Sequence, residues 1–369
     1  MDSAPNSRDE LVVHALVARP LSVPLVEPFV IATGRVDATR SVEIEARVAF
    51  RGQTAIGLGE AACLPPVTKE DQGDVLRDVE GARSSVIHRA ITYADLATSL
   101  AEAALGPVAR AGVETAILDA AARIAGVPLR TLLGGPVGAA TTVLETDVTV
   151  PIADPAHMAA LASGWFARGF RALKVKVGKD VGADARALEA IGRAVPGARL
   201  RVDANAGYTA KEAIALARLC DRLGLTVECW EQPCAAEDLD GLAEVAAALA
   251  APVVADESAT NLDDVRTLIA GRCADGVNLK LVKCGGLLPA LTMGRAARAG
   301  GLKLMVGGMV ETRLGMTAAA HLACALGGAD FVDLDTALLL AEDPYVGGYV
   351  AAGPRYTMPD SPGLGVSKR

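Results

Sequence analysis

Two lysines, three carboxylates and a third lysine recur at one kind of place in this chain. Lys174 and Lys176 lie two apart in LKVKVG; Asp203 closes RLRVD, Glu231 closes VECWE, Asp256 closes VVAD and Lys280 closes VNLK. Each group follows directly on, or ends, a short apolar run, so it belongs to the C-terminal end of a candidate strand. A single carboxylate there is often only the N-cap of the next helix. Three on successive strands, bracketed by lysines, converge on one spot. Oxygen-only ligands with no histidine suit a hard cation such as Mg2+. Asn205 is a further polar neighbour. Glu257, beside Asp256, points elsewhere by strand alternation and is read as supporting the ligands.

The chemistry this set could do is proton abstraction next to a carboxylate. Mg2+ that binds a substrate carboxylate or carbonyl stabilises the enolate formed when the α-proton leaves. A lysine near a metal and near another ammonium has its pKa lowered and can serve as a base near neutral pH. Lys174 is the expected neighbouring charge for Lys176. Lys280 stands on the far side of the set, and two bases on opposite faces of one carbon permit removal on one side and return on the other. That is racemisation or epimerisation.

A second feature is FVDLDTAL, residues 331–338. Residues i and i+2 of a strand share a face, so Asp333 and Asp335 are expected side by side. Burial and mutual repulsion penalise such a pair unless a cation meets it.

The elements that must hold these groups form a rhythm. Apolar runs fall at 141–150, 171–178, 198–205, 225–233, 251–258, 275–281, 302–308 and 330–335, with Ala- and Leu-rich stretches of helical length between them. Strands alternating with helices imply a parallel sheet, and eight units in about 200 residues suggest a closed barrel. The alternative is an open doubly wound sheet, but no G-x-G-x-x-G follows the first strand. Residues 10–50 read as antiparallel strands joined by a long loop, and 70–125 as mostly helical. The expected division is an α+β capping domain over 1–135, a barrel over 136–340 and a Gly/Pro-rich return to the capping domain over 341–369.

The net charge of −8 and the absence of a basic tract argue against nucleic acid as a partner. No signal peptide or membrane span is read. Seven scattered cysteines and four histidines argue against zinc and fit free thiols in a cytoplasmic protein.

The motifs KVK (174–176), DAN (203–205), EQP (231–233), DES (256–258) and NLK (278–280), in this order, together with PFVIATG (28–34), resemble the enolase superfamily in its muconate-lactonizing enzyme subgroup. The resemblance spans nearly the whole chain. It implies a modified (β/α)7β TIM-like barrel under an N-terminal α+β capping domain, metal ligands Asp203, Glu231 and Asp256, and base lysines Lys176 and Lys280; a Lys or His base with Mg2+ is general in the superfamily. The late-strand stretch LKLMVGGMVETRLG has no histidine, unlike mandelate racemase-like members, and His321 reads as a packed or surface residue. The D-x-D at 333–335 resembles the signature of dipeptide epimerases, in which the pair holds the substrate's α-ammonium. The implied substrate is a dipeptide such as L-Ala-L-Glu or its L-Ala-D-Glu epimer, and the implied assembly a homo-oligomer. An acidic second residue needs a cation, for which Arg35, Arg40 and Arg313 are candidates. Met309 and Glu311 are expected to line the pocket, and the loop at 64–74 to cover it. N-acylamino acid racemase, o-succinylbenzoate synthase and cycloisomerase remain alternatives, as does a non-catalytic barrel. The first three act on substrates without a free ammonium.

Overall fold

The computed structural model describes residues 8–32, 34–136 and 142–369. Eight parallel strands follow one another in chain order: Val148–Val150, Ala172–Lys176, Arg199–Asp203, Thr226–Glu231, Val253–Ala255, Gly276–Leu279, Lys303–Gly307 and Phe331–Asp333. Each pairs with the next. At the seam between first and eighth, the Asp147 amide donates to the Val332 carbonyl at 3.0 Å and the Leu334 amide to Thr146 Oγ1 at 2.8 Å. The closed arrangement leaves no strand face in water, and nearly every strand residue is buried.

Lys174, Lys176, Arg201, Asp203 and Glu231 on these strands are buried, whereas Arg199 and Lys303 at strand starts reach solvent. Lys174 pairs in register with Arg201, and Lys176 with Asp203, which pairs in turn with Glu231. Below them Cys229, Val254, Met305 and Phe331 form a separate apolar plug. The plug closes the barrel floor, so the polar layer opens only at the C-terminal mouth.

A four-stranded antiparallel sheet, in the order Gln53–Cys63, Arg40–Phe50, Glu10–Leu21 and Ala90–Thr92, makes the capping domain with the helices Gln72–Val86, Leu96–Glu102 and Pro107–Ala125. The last of these is buried along most of its length, between the sheet and the barrel. Its close approach depends on GLG at 57–59: a Cβ on Gly59 would lie 2.1 Å from the Gly112 carbonyl oxygen, and one on Gly57 2.1 Å from that of Ala116. Among the described residues, no helix is long and apolar enough to cross a membrane.

Two local expectations are corrected. The run at 141–150 is not one strand; Thr141 lies outside the described residues. Val143–Glu145 pairs with Arg355–Thr357 of the C-terminal return, and the barrel strand starts at Val148. The polar Thr146-Asp147 step breaks the run, because Thr146 accepts the Leu334 amide and Asp147 pairs with Arg201. The long loop expected within 10–50 contains a second hairpin, Pro24–Ile31 with Gly34–Ala38, which leans over the barrel mouth. The C-terminal return reaches the capping domain: Tyr345 donates to Glu43 Oε2 at 2.5 Å, and Lys368 Nζ lies 2.8 Å from Glu43 Oε1.

Candidate active site

Three carboxylates end three adjacent strands or the turn that follows: Asp203, Glu231 and Asp256, each with no solvent exposure. Lys174 Nζ lies 3.1 Å from Asp203, 2.7 Å from Glu231 and 2.7 Å from Asp333. Lys176 donates to Asp203 Oδ2 at 2.7 Å and Lys280 to Asp256 Oδ2 at 2.8 Å. Lys176 and Lys280 thus flank the carboxylates from the second strand and from the turn after the sixth, on opposite sides of the barrel. Burial works against the charges on Asp203, Asp256, Lys174 and Lys280, and opposite charges outweigh it. Against burial, Lys176 and Lys174 hold Asp203 below the usual carboxylate range, and Lys280 and Lys283 do so for Asp256. Burial also opposes the charge on Lys174 and Lys280, but Asp333 and Glu231 raise the first and Asp256 the second. Glu231 is the exception: burial and Asp203 push it up to about 7.

The donor set fits a divalent cation. Glu231 Oε2, Asp256 Oδ1 and Asn205 Oδ1 are buried and accept no hydrogen bond among the described residues. The first two face lysine ammoniums, at 2.7 Å for Glu231, without a hydrogen-bonding angle. Buried oxygens with no aligned donor, held by ion pairs alone or by nothing, on an all-oxygen ligand set suit a hard cation.

The turns that present these groups are strained and cross-braced. Asn205, Ala206 and Gln232 all have positive φ, at 42°, 63° and 34°. Gln232 Nε2 donates to the Cys234 carbonyl at 2.9 Å and to Ser258 Oγ at 2.8 Å, while its Oε1 accepts the Asp256 amide at 2.8 Å and the Ser258 amide at 3.1 Å. One glutamine therefore ties EQP to DES and fixes the spacing of two ligands. Asn278 Nδ2 donates to Glu231 Oε1 at 2.8 Å, and Lys283 Nζ bonds the Asp256 and Asn278 carbonyls. Gln232, Ser258, Asn278 and Lys283 were not singled out from sequence. For the first three the signal was position within the motifs, not charge; Lys283 lies three residues past NLK. Asn205 Nδ2 reaches Glu257 Oε1 at 3.3 Å; burial and Asp256 push Glu257 up to about 7.

The D-x-D pair is split in depth. The strand ends at Asp333, and Asp335 begins the turn of Thr336–Leu338. Asp333 lines the chamber; Asp335 sits behind it, with Oδ2 accepting the Thr149 amide at 2.6 Å. A third carboxylate, Asp147, joins them from just before the first strand. Oxygens of Asp147, Asp333 and Asp335 lie within 4.8 Å of one another. Arg201 meets Asp147 at 2.8 Å and Lys174 meets Asp333, so cationic side chains already serve this cluster. Burial and Asp333 push Asp335 up to about 7.

The remaining candidates fall elsewhere. Met309 lines the chamber. Glu311 does not: its Oε1 accepts the Met309 amide at 2.8 Å, and its carboxyl crowds Gly315 together with Glu60 of the capping domain. Burial and Glu60 push Glu311 up to about 8. Arg35 turns outward to Asp37 at 2.9 Å, 61% exposed. Arg40 pairs with Asp71, the N-cap of Gln72–Val86. Arg313 donates to the Gly347 and Tyr349 carbonyls at 3.1 and 3.0 Å and stacks on the Tyr349 ring. His321 is packed; burial and Arg130 lower it to about 3. Of the loop at 64–74, Leu64 and Val67 reach the chamber.

Residues 14–134 match the N-terminal domain model of mandelate racemase / muconate lactonizing enzyme, and residues 157–369 match the enolase C-terminal domain-like model. The chain belongs to the enolase superfamily. It is 40% identical to an L-Ala-D/L-amino acid epimerase of Populus trichocarpa over 354 residues, 94% of this chain and 82% of that one. It is 38% identical to an aromatic dipeptide epimerase of Herpetosiphon aurantiacus over 96% of this chain and 98% of the relative. Among solved structures it resembles a dipeptide epimerase of Enterococcus faecalis V583 complexed with Mg and L-Leu-L-Tyr. There the TM-score is 0.88 at 30% identity, covering 96% of this chain and 99% of that one.

Proposed function

We propose that this protein is a Mg2+-dependent dipeptide epimerase, inverting the α-carbon of the second residue with Lys176 and Lys280 as bases. The observation that carries the reading is one constellation: Lys174, Lys176, Lys280 and Asp333 line a chamber, and the first three bond the fully buried carboxylates Asp203, Glu231 and Asp256 from either side. Asp203, Glu231 and Asp256 would hold the ion. Bound there, Mg2+ would offset the charge that builds on the substrate carboxylate and weaken the hold of Asp203 and Asp256 on their lysines. Burial then favours the neutral amine at one lysine. That lysine takes the α-proton from one face, and the other, as an ammonium, returns a proton to the opposite face. Lys174 stays cationic between Asp333 and the ion's ligands and supports the charge on the substrate carboxylate. Asp333, backed by Asp335, receives the α-ammonium.

N-acylamino acid racemase, o-succinylbenzoate synthase and cycloisomerase chemistry use the same lysines, but offer no ammonium to Asp333 and Asp335. The similarity to proteins named as dipeptide epimerases supports the same choice. The seven cysteines are free and buried, which fits a cytoplasmic enzyme. A homo-oligomer acting on small peptides, with no nucleic-acid or membrane partner, completes the proposal. The test compares an L,L-dipeptide with its N-acetyl derivative. Epimerisation of the free peptide alone supports the reading; turnover of only the acylated form would overturn it.

A further inference from the structure

We propose that the second residue of the dipeptide carries an apolar side chain, selected by a wall of Phe29, Ile31, Leu64 and Val67; this rests on the dipeptide reading above. The direction of that side chain follows from the reaction. Once the α-proton has left, the α-carbon is planar, with one lysine over each face. Its carboxylate points to Asp203, Glu231 and Asp256, and its nitrogen runs toward Asp333. The third in-plane direction leads away from both, out of the barrel and under the cap.

What the side chain meets there is carbon. Phe29 and Ile31 come from the hairpin over the mouth, Leu64 and Val67 from the segment after Gln53–Cys63, and Met309 and Val310 from the turn after the seventh strand. Among the described residues, the cations that line the chamber are Lys174, Lys176 and Lys280, the groups the reaction itself uses. The three arginines that would serve an acidic side chain are engaged elsewhere: Arg35 with Asp37, Arg40 with Asp71, Arg313 with two carbonyls and the Tyr349 ring. An ionised side chain would be buried here without a partner, whereas an apolar one only exchanges water for carbon.

The chamber also implies how size is read. Its free volume is about 30 Å3, room for a water or two. A leucine-sized side chain enters only if the wall moves. Leu64 and Val67 sit in one turn closed by Thr68, whose Oγ1 accepts the Leu64 amide at 2.8 Å and whose amide donates to the Leu64 carbonyl at 3.0 Å. One braced turn carries both, so the two together set the accepted bulk.

The experiment measures α-proton exchange in D2O with Mg2+ for L-Ala-L-Leu, L-Ala-L-Met, L-Ala-L-Phe, L-Ala-L-Glu and L-Ala-L-Lys. Expected is a kcat/KM for the best apolar peptide at least about 100-fold above that for L-Ala-L-Glu or L-Ala-L-Lys. A value for L-Ala-L-Glu equal to or above the apolar peptides overturns this proposal and leaves the epimerase reading standing. Exchange in no dipeptide overturns that reading and the proposal with it. Val67→Arg, which puts a cation on the wall, is expected to narrow the Leu/Glu ratio about tenfold or more; an unchanged ratio in a folded, Mg2+-dependent variant would mean the wall does not face the side chain.

Discussion

Asp333→Asn removes one negative charge while keeping the shape of the side chain at the chamber rim. Asp333 is 6% exposed and holds Lys174 at 2.7 Å, so it lies close to the reaction centre. Two unit charges about 4 Å apart at an effective dielectric near 20 attract by roughly 4 kcal/mol. The amide retains one acceptor oxygen, and a substrate ammonium must shed water to reach it. Measured net values for hydrogen bonds to charged groups are accordingly lower, about 1.5–3 kcal/mol. A loss of about 2 kcal/mol corresponds to roughly a 30-fold fall in kcat/KM. The fall should be confined to peptides with a free amino terminus. An N-acetyl dipeptide, which has no ammonium, should lose little, so the preference for the free peptide collapses by the same factor. The assay is α-proton exchange on both substrates, with Mg2+ affinity measured alongside because Lys174 also touches Glu231 and Asp203. Equal losses on both substrates would refute the ammonium assignment and make Asp333 a partner of Lys174 alone.

Gln232→Ala removes four hydrogen bonds, three of them between the turns that present Glu231 and Asp256, and should weaken Mg2+ binding about 10- to 100-fold, read by metal titration. Chelation with EDTA should abolish activity and added Mg2+ restore it; full activity in chelator would remove the metal assignment. Glu311→Gln should change how stability depends on pH. Burial and Glu60 raise Glu311 from 4.5 to about 8 in the fold, so between those values the unfolded chain has released a proton that the folded chain keeps. Wild-type stability therefore falls as pH rises through that window and the glutamine variant escapes the fall, a divergence of the order of 2–4 kcal/mol by pH 8. Parallel pH profiles of unfolding for the two proteins would contradict it.

The barrel and its polar layer were legible because parallel strands bury both faces. A lysine or aspartate at the end of such a run has no ordinary place there, and the run of them pointed to one mouth. Four things were not legible. Which way Arg35 turns depends on Asp37, two residues on along the same strand, a local pairing that composition does not reveal. Strand alternation set Asp333 and Asp335 side by side, but the strand stops at Asp333, so the second carboxylate falls behind the first. Asp147 joins them across the barrel seam, 186 residues away in sequence from Asp333. Glu311 was read as a pocket residue from its place after the seventh strand; its backbone does turn there, but the capping domain's Glu60 and the Met309 amide take its side chain.

The central claim is that Lys176 and Lys280 work on opposite faces of one carbon. It is tested most directly by following α-proton exchange by NMR in D2O, with Mg2+, for the L,L- and L,D-epimers of one good substrate. Wild type, Lys176→Ala and Lys280→Ala are compared. Wild type should exchange and interconvert both epimers. Each variant should exchange only one epimer, a different one in each, and interconvert neither. Interconversion that survives in either variant, or both variants exchanging the same epimer, would contradict the two-base account.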